Sequence, residues 1–365
     1  MSEGTIKFLT SLFVLLLVSF IGVTPLFGVE KVNATEEGSW TTLALLPEPS
    51  HTIGAAVVDG KIYVIGWTTC VKYDPETNNW TAKAPPPITN TWGSVVACQN
   101  KIYLIGGASD LPTQVYDPAT DIWENRTSIP TTRSSLQANV VDGKIYLIGG
   151  QMPAGLYVIN ASSSNDVYDP ETDTWTQMAP IPTAVMGYAS AVFEEKIYII
   201  SGGNESGPDY KPTNLVQIFD TEKNQWTKGT PIPTGVCSSR AGITTGLSAP
   251  KRIYVIGGTT DYYPRWATYN VVNLTQTYDP ETDTWTTGSP MLTPRSGFGI
   301  AVVNDEIYAI GGVKEEDYLV VNEKYTPAGY IPEFPSWIML PLFLVATLFV
   351  MVFKKRLVRI RRCST

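Results

Sequence analysis

The fold of this chain is decided by the stretch VVDGKIYLIGG, residues 140–150, which is followed by VYDPETDTW, residues 167–175. In the first stretch, β-branched and aromatic residues flank Asp142-Gly143, a pair typical of a two-residue hairpin turn because glycine tolerates positive φ. In the second stretch, Asp169-Pro170 begins a tight turn, since proline presets φ and the aspartate side chain bonds nearby amides. Each stretch therefore predicts two antiparallel strands, and together they predict a four-stranded unit.

The unit recurs along the chain at regular spacing. From each tryptophan to the tyrosine of the next Ile-Tyr strand there are 23 residues in four of five cases. A unit that repeats at a fixed period of this length indicates a repeat architecture such as a propeller. The strand tyrosines are Tyr63, Tyr103, Tyr146, Tyr198, Tyr254 and Tyr308, the aromatic residues before the turn are Tyr73, Tyr116, Tyr168, Phe219 and Tyr278, and the tryptophans are Trp80, Trp123, Trp175, Trp226 and Trp285.

The sixth unit lacks its own outer strand. Tyr325 is followed by no tryptophan in register, whereas Ser39-Trp40-Thr41-Thr42 resembles the outer strands, and Trp40 precedes Tyr63 by 23 residues. We predict that Trp40 closes a ring by pairing with the last blade, which leaves only short, protected sheet edges.

The glycine pair after an apolar strand, then Tyr-Asp-Pro, then tryptophan resembles the kelch family of β-propellers. The resemblance covers residues 39–326 and implies an all-β, six-bladed propeller closed by an N-terminal strand. Repeat 1 departs from the pattern with Gly66-Trp67, and repeat 4 inserts Ser201 before its glycines.

Charge argues against a nucleic-acid partner. The chain carries a formal net charge of −8, and its last twelve residues hold six cations and no acid, so without those six charges the remainder carries −14. Binding to phosphates needs clustered cations.

The two ends of the sequence predict export and a membrane anchor. Residues 1–34 are interpreted as a signal peptide, or alternatively a signal anchor. Residues 337–353 contain no charge and are followed by a basic tail at 354–365, which predicts a single-pass helix with a cytoplasmic tail and an extracellular propeller. Residues 327–336 form a proline-rich stalk after a propeller at 38–326. The run Pro332-Glu333-Phe334-Pro335 resembles archaeal PEF-type sorting signals, although a plain anchor explains it equally well.

Modification and cysteine patterns fit an exported body without a disulfide scaffold. Three of the four cysteines lie in three different repeats, so buried or idle thiols are expected. Asn-X-Ser/Thr sequons are candidates for glycosylation. They occur at Asn33, Asn79, Asn125, Asn160, Asn204 and Asn273.

Topology selects one face of the ring for binding. If the four strands of a blade are lettered A to D, the A–B and C–D turns share one face, and the B–C loops and D–A connections share the other. The A–B and C–D turns are short and similar, whereas the B–C loops vary from 5 to 19 residues. A fixed scaffold with variable loops on one side is a common way to carry a binding site.

The candidate binding residues on that face combine aromatic side chains with carboxylates and arginines, which suits sugar rings or extended peptides. Packing of the long loops is the alternative for the aromatic residues, and a salt bridge is the alternative for Arg133 and Arg295. The candidates are Trp92, Arg133, Tyr188, Asp209, Tyr210, Arg240, Tyr262, Tyr263, Arg265, Trp266 and Arg295. Neighbouring polar and aromatic residues are His51, Asn204, Glu205, Lys211, Asp261, Tyr269, Glu315, Glu316, Asp317 and Tyr318.

Residue types restrict catalysis. A copper radical oxidase, a histidine-dependent triad or a zinc site needs more histidine than the single His51. The recurring Asp-Pro-Glu-Thr-Asp turns are interpreted as structural because they recur in the same place. No metal or cofactor is expected. The kelch resemblance leaves open an acid-based glycan enzyme, such as a sialic-acid mutarotase using Glu205 or Asp209 with Arg240.

We therefore expect a monomeric, membrane-tethered propeller that binds a cell-surface protein or glycan without catalysis. A glycan enzyme and a purely structural envelope component are the alternatives. The enzyme requires a carboxylate and an arginine that converge in a deep central pocket, whereas a binding module requires a broad aromatic surface.

Overall fold

The computed structural model describes residues 38–48, 52–107, 109–153, 160–204, 212–263 and 268–331. The chain divides into residues 1–35 and 36–365, and the predicted signal segment and the apolar run at 337–353 both lie outside the described residues. Within the described ranges no helix is long and apolar enough to cross a membrane.

Six four-stranded antiparallel sheets form the described body, as the repeats predict. Strand A of each sheet is innermost and strand D is outermost. Strand β1 (Ser39–Thr42) completes blade 6; blade 1 contains β2 (Thr52–Val58), β3 (Lys61–Gly66), β4 (Cys70–Asp74) and β5 (Asn79–Lys83), blade 2 contains β6 (Ser94–Cys98), β7 (Lys101–Ile105), β8 (Thr113–Asp117) and β9 (Ile122–Arg126), and blade 3 contains β10 (Ala138–Val141), β11 (Lys144–Ile148), β12 (Asn165–Asp169) and β13 (Thr174–Gln177). Blade 4 contains β14 (Ala189–Phe193), β15 (Lys196–Ile200), β16 (Val216–Asp220) and β17 (Gln225–Lys228), and blade 5 contains β18 (Arg240–Ile243), β19 (Ile253–Ile256), β22 (Thr275–Asp279) and β23 (Thr284–Thr287), with a separate hairpin of β20 (Thr259–Tyr263) and β21 (Thr268–Val271). Blade 6 contains β24 (Gly299–Val303), β25 (Glu306–Ile310) and β28 (Asn322–Thr326), with a short hairpin of β26 (Val313–Lys314) and β27 (Asp317–Tyr318).

The ring closes as the sequence predicts. Strand β1 pairs antiparallel with β28, and Trp40 lies opposite Tyr325. Blade 6 is therefore built from both ends of the described body, and its outer strand is joined to the rest of that blade by hydrogen bonds and packing alone.

The hydrophobic core lies between the blades, because both faces of each sheet are covered. Tyr168 is fully buried, and its ring lies 4.9 Å from that of Trp175 and 6.2 Å from that of Tyr103 in the preceding blade. Gly149 shows why glycine suits the position after strand B of blade 3: its φ is 60°, and a Cβ there would lie 2.6 Å from the carbonyl oxygen of Val185, which precedes blade 4.

A two-point contact joins the outer parts of neighbouring blades. Trp123 donates its indole N–H to the carbonyl of Ala84 (2.7 Å), and Asp121 accepts the amide of the same residue (2.9 Å). Tyr116 donates its hydroxyl to the same carboxylate (2.5 Å), and Asp121 has a φ of 60°. Equivalent residues make this contact in blades 1, 3, 4 and 5, so the recurring turn is structural, as expected.

These turn carboxylates predict acid sensitivity. The Tyr116 hydroxyl and the Ala84 amide hold the pKa of Asp121 below its ordinary value. Burial alone would raise the pKa of Asp173 and Asp283, but the hydrogen bonds from a tyrosine hydroxyl and a blade amide outweigh it and lower both. A lowered pKa stabilises the fold above the unfolded value of about 3.9, and that contribution is lost as the pH falls through the folded value.

The chain contains its own control for this effect, because Asn78 stands at the equivalent turn position in blade 1 and accepts the same two kinds of bond. We expect the triple variant Asp121→Asn, Asp173→Asn and Asp283→Asn to lose less stability than the parent between pH 5 and pH 2. Urea midpoints at several pH values measure this. Parallel curves for parent and variant would contradict it.

Candidate functional site

A belt of backbone hydrogen bonds runs along the mouth of the central channel on the B–C loop face, from blade 2 to blade 6. Five belt residues each lie just before an inner strand, and the last four donate their amides to the carbonyl of the belt residue in the preceding blade, at 2.6–3.0 Å. All five have φ between 51° and 59°. The belt consists of Trp92, Ser135, Gly187, Ser238 and Gly297.

The belt fixes the width of the channel mouth. Left-handed backbone is unfavourable for residues with a Cβ, and it persists where surrounding structure enforces it, often near functional sites. Trp92 adopts this conformation with 60% of its surface exposed. The predicted binding residue Trp92 is thus held rigidly at the rim with its indole available to a partner.

Below the belt lies a channel of about 250 Å³ between the six inner strands. Its walls come mostly from small and β-branched residues, such as Ala55, Val95, Ala138 and Ala241. By proportion with a cavity of about 150 Å³ that holds benzene, the volume suits a group of roughly ten heavy atoms. The channel can therefore admit a side chain or a single sugar unit.

Arg240 is the cation of this channel. It lines the wall and is half-buried, and its guanidinium donates to the carbonyl of Ser239 at 3.2 Å. It forms no ion pair with any residue in the described ranges. Burial lowers the pKa of Arg240 to about 10, so the side chain remains charged at neutral pH. An anionic group that entered the channel would meet an uncompensated positive charge.

Gln137 lies beside Arg240 and was not recognised from the sequence. Its side-chain amide spans blade 4, donating to the carbonyl of Tyr188 and to that of Ser239 at 3.3 Å. Both Gln137 and Arg240 stand two residues after a belt residue, and this register could have identified Gln137. A polar pair therefore lies just below the mouth.

Arg133 and Arg295 occupy the positions for which a salt bridge was the alternative prediction, and the salt bridge is what the structure shows. Arg295 is fully buried and donates to Glu323 at 2.9 Å and to the carbonyl of Ala309 at 2.9 Å. Arg133 is also fully buried and pairs with Asp166. Neither guanidinium is presented to a ligand at the mouth, because each is engaged inside a blade.

A signal for these pairs was present in the repeats. Two residues before the tyrosine or phenylalanine of strand C, repeats 2, 4 and 5 have glutamine, whereas repeats 3 and 6 have Asp166 and Glu323. The arginines occur only in those two repeats at their shared position. In blade 4, Gln217 instead accepts the amide and donates to the carbonyl of Thr183, both at 2.9 Å.

Tyr188 also differs from the prediction of a binding residue. It is fully buried, and its hydroxyl donates to the carbonyl of Ile148 in the neighbouring blade. Burial raises the pKa of Tyr188 to about 12. The side chain joins blades 3 and 4 beneath the belt.

The remaining candidates lie on the long loops. Tyr262 and Tyr263 belong to the separate hairpin of blade 5, in which Tyr262 is paired with Tyr269 and Tyr263 with Thr268 along the backbone. Asp209, Tyr210, Arg265 and Trp266 lie outside the described residues, so their role stays a prediction. The blade 6 loop presents an exposed turn, in which Tyr318 is 41% exposed.

The sequons differ in access. Asn79, Asn125, Asn160 and Asn204 are exposed, whereas Asn273 is half-buried and donates its side-chain amide to the carbonyl of Met291 at 3.1 Å. Glycosylation stays a prediction for all five, and Asn273 is the least accessible of them. Asn33 lies outside the described residues.

Metal-ligating and thiol groups do not assemble within the described part of the chain. No group of three His, Cys, Asp or Glu side chains there is placed to hold a metal ion. Cys70, Cys98 and Cys237 are free and buried.

Comparison with known structures supports the propeller fold. The structure entitled "Structure of YjhT" superposes with a TM-score of 0.64 at 18% sequence identity, covering 77% of this chain and 96% of that chain. At this identity the likeness concerns the fold alone.

Curated relatives are kelch proteins of greater length. Kelch-like protein 36 of Rattus norvegicus is 32% identical over 43% of this chain and 24% of its own length. Kelch repeat and BTB domain-containing protein 12 of Homo sapiens is 25% identical over 63% of this chain and 31% of its own length. The chain thus spans about a quarter to a third of the relatives it matches.

Residues 93–312 match the KLHDC2/KLHL20/DRC7 Kelch-repeats domain, which is more than half of the chain. This range includes blades 2 to 5, the two inner strands of blade 6, and the four belt residues that follow Trp92. Together with the six sheets and their closure, the match shows that the chain belongs to the kelch-repeat family of β-propellers.

Proposed function

We propose that this kelch propeller binds a cell-surface protein or glycan through its B–C loop face, by receiving an acidic group in the central channel. The observation that carries the proposal is Arg240, a channel-lining guanidinium without an ion pair among the described residues. Membership of the kelch family supports a protein-binding role. The acidic group and its source belong to the proposal.

The energetics favour an anionic guest. A partly desolvated arginine has lost water contacts that a bidentate carboxylate replaces with short, charge-assisted hydrogen bonds. Trp92 offers a flat apolar surface at the rim, which suits the face of a sugar ring or an extended peptide. The belt admits only a narrow group, so the partner presents a single acidic side chain or acidic sugar unit rather than a folded surface.

We further propose that the propeller is exported and tethered through residues 337–353. The C-terminal end of the described body supports this arrangement, because Ile331 lies on the face of the A–B turns, where its amide donates to the carbonyl of Ser248 at 2.6 Å. A tether that leaves from that face keeps the B–C loops free. Residues 327–331, assigned above to the stalk, pack against this face.

A charge-removing variant tests the binding site. We expect Arg240→Met to weaken binding by about 10- to 150-fold, since hydrogen bonds to charged groups contribute about 1.5–3 kcal/mol. The probes are a glycan array with matched acidic and neutral members and a parallel array of acidic and amidated peptides. Arg126→Met is the control, because Arg126 pairs with Glu124 on an outer strand far from the channel.

The two arrays separate the sources of the carboxylate. Binding of the protein to acidic glycans alone supports a glycan partner, and binding to acidic peptides alone supports a protein partner. Equal binding by the parent and Arg240→Met, or binding that prefers neutral members, would refute the proposal.

The alternative, an acid-based glycan enzyme, needs a carboxylate beside Arg240. Among the described residues that line the channel, none is Asp or Glu. Glu205 and Asp209, the two candidates, lie outside the described ranges. Accelerated mutarotation of an acidic sugar by the parent, lost in Asp209→Asn, would favour the enzyme.

A further inference from the structure

The two most exposed large apolar side chains of the described residues belong to two segments that meet on the turn face of the propeller. Leu247 is 84% exposed and Ile331 is 69% exposed. The amide of Ile331 donates to the carbonyl of Ser248, which adjoins Leu247. Isolated exposed leucines are common on protein surfaces, but a pair at one place indicates an interaction site.

Leu247 stands at the tip of an unusual turn. The other A–B turns contain two residues between their strands, whereas nine residues separate β18 from β19 in blade 5. This longer turn occurs at the place where the chain leaves the described body. Gly329 also lies against this turn: a Cβ added to it would be 3.5 Å from the Pro250 ring.

The turn is held rigidly in spite of its length. The buried carboxylate of Asp305, from the neighbouring blade, accepts the amides of Thr245 (2.5 Å), Ser248 (2.7 Å) and Ala249 (3.0 Å). The hydroxyl of Thr244 donates to the carbonyl of Pro250 at 2.5 Å. Because these hydrogen bonds already hold the turn in place, its apolar tip has little conformational freedom left to lose on binding.

We propose that Leu247 and Ile331 form a contact site for the surface of a lipid bilayer, so that the blade 5 corner rests on the membrane that anchors the chain. This inference rests on the proposed tethering. Five residues, and hence six Cα–Cα steps, separate Ile331 from Trp337, where the uncharged run begins. Even fully extended they span about 20 Å, so the corner lies near the interface.

Charge restricts the contact to this corner. The C–D turns on the same face carry exposed carboxylates, which anionic lipid headgroups repel. Lys251 follows the same turn and is half-buried, with its Nζ 4.3 Å from the centre of the Phe193 ring. It places one positive charge close to the turn that carries Leu247. The exposed turn carboxylates are Glu76, Glu171, Glu222 and Glu281.

Fluorescence in vesicles tests the contact with the full chain. Leu247→Cys, Glu171→Cys and Lys314→Cys, each combined with Cys363→Ser, are labelled with an environment-sensitive dye and reconstituted into vesicles of phosphatidylcholine mixed with anionic phosphatidylglycerol. Glu171 controls for the rest of the turn face, and Lys314 for the B–C loop face. Quenching by a shallow nitroxide lipid is expected to be at least threefold stronger at position 247 than at either control.

The outcomes separate the contact from the tether. Flotation of the protein with vesicles and no preferential quenching at position 247 refutes the corner contact and leaves the tether intact. Protein that does not float refutes both. A label at position 247 that is shielded in a protein dimer but not quenched by lipid assigns the patch to a second copy and overturns the proposal.

Discussion

Glu323→Ala is expected to lower the free energy of unfolding by about 3–5 kcal/mol, the usual effect of removing one partner from a buried ion pair. The carboxylate of Glu323 accepts from Arg295 at 2.9 Å and from the hydroxyl of Thr293 at 2.6 Å. Its removal leaves a fully buried guanidinium with carbonyl partners only. Urea unfolding followed by tryptophan fluorescence measures the change.

The chain provides the matched rescue. At the two equivalent positions blade 4 has Val185 and Gln217. The glutamine side chain accepts a hydrogen bond from the amide of Thr183 and donates one to its carbonyl. The double variant Arg295→Val and Glu323→Gln installs that arrangement in blade 6. We expect it to recover most of the lost stability, because exchanging a whole buried pair for a satisfied, mostly apolar one is often neutral or stabilising.

Two results would contradict this account. If the double variant were as unstable as Glu323→Ala, the loss would come from packing rather than from an unpaired charge. If Glu323→Ala cost no more than Arg126→Ala, an exposed pair expected to contribute less than about 1 kcal/mol, the buried pair would be unimportant.

Trp40→Ala is expected to lower the unfolding free energy by about 3–5 kcal/mol, as for other buried aromatic residues. Trp40 is 8% exposed, its ring lies 5.1 Å from that of Tyr325, and its indole donates to the carbonyl of Ser289 at 2.9 Å. Because β1 is the one strand of blade 6 that no turn connects to its neighbour, its loss opens the ring.

Trp123→Ala is the control for this variant. Trp123 makes the same type of hydrogen bond and ring contact, but it is half-buried and its strand continues from a turn within blade 2. Hydrogen exchange should accelerate across β1 and β28 in Trp40→Ala, and only across β8 and β9 in Trp123→Ala. Equal, local effects of both substitutions would argue against a special role for the seam.

Much of the architecture could be predicted because it repeats. One unit such as residues 140–175 predicts strands, and six at fixed spacing predict their arrangement, including the seam strand around Trp40. The function of the turn aspartates followed from the same recurrence. Because the pattern repeats, the scaffold is the part of the structure that the sequence predicts best.

The site was harder to predict because it depends on differences between repeats. Arg133, Arg240 and Arg295 all lie close to the start of an inner strand, yet two are buried in ion pairs and the third lines the channel. What separates them is a carboxylate about 30 residues away, at Asp166 and Glu323. Gln137 and the belt depend on backbone conformation, which side-chain patterns do not reveal.

The belt also has a consequence for how such a protein can change over evolution. The hydrogen bonds of the belt and the outer tryptophan contacts hold blades 2 to 6 at two radii, so none of these blades can tilt without breaking both. The bore is thus set by main-chain geometry, whatever the loops above it become. Loop mutations can alter which molecules are selected, while the largest group that enters stays the same.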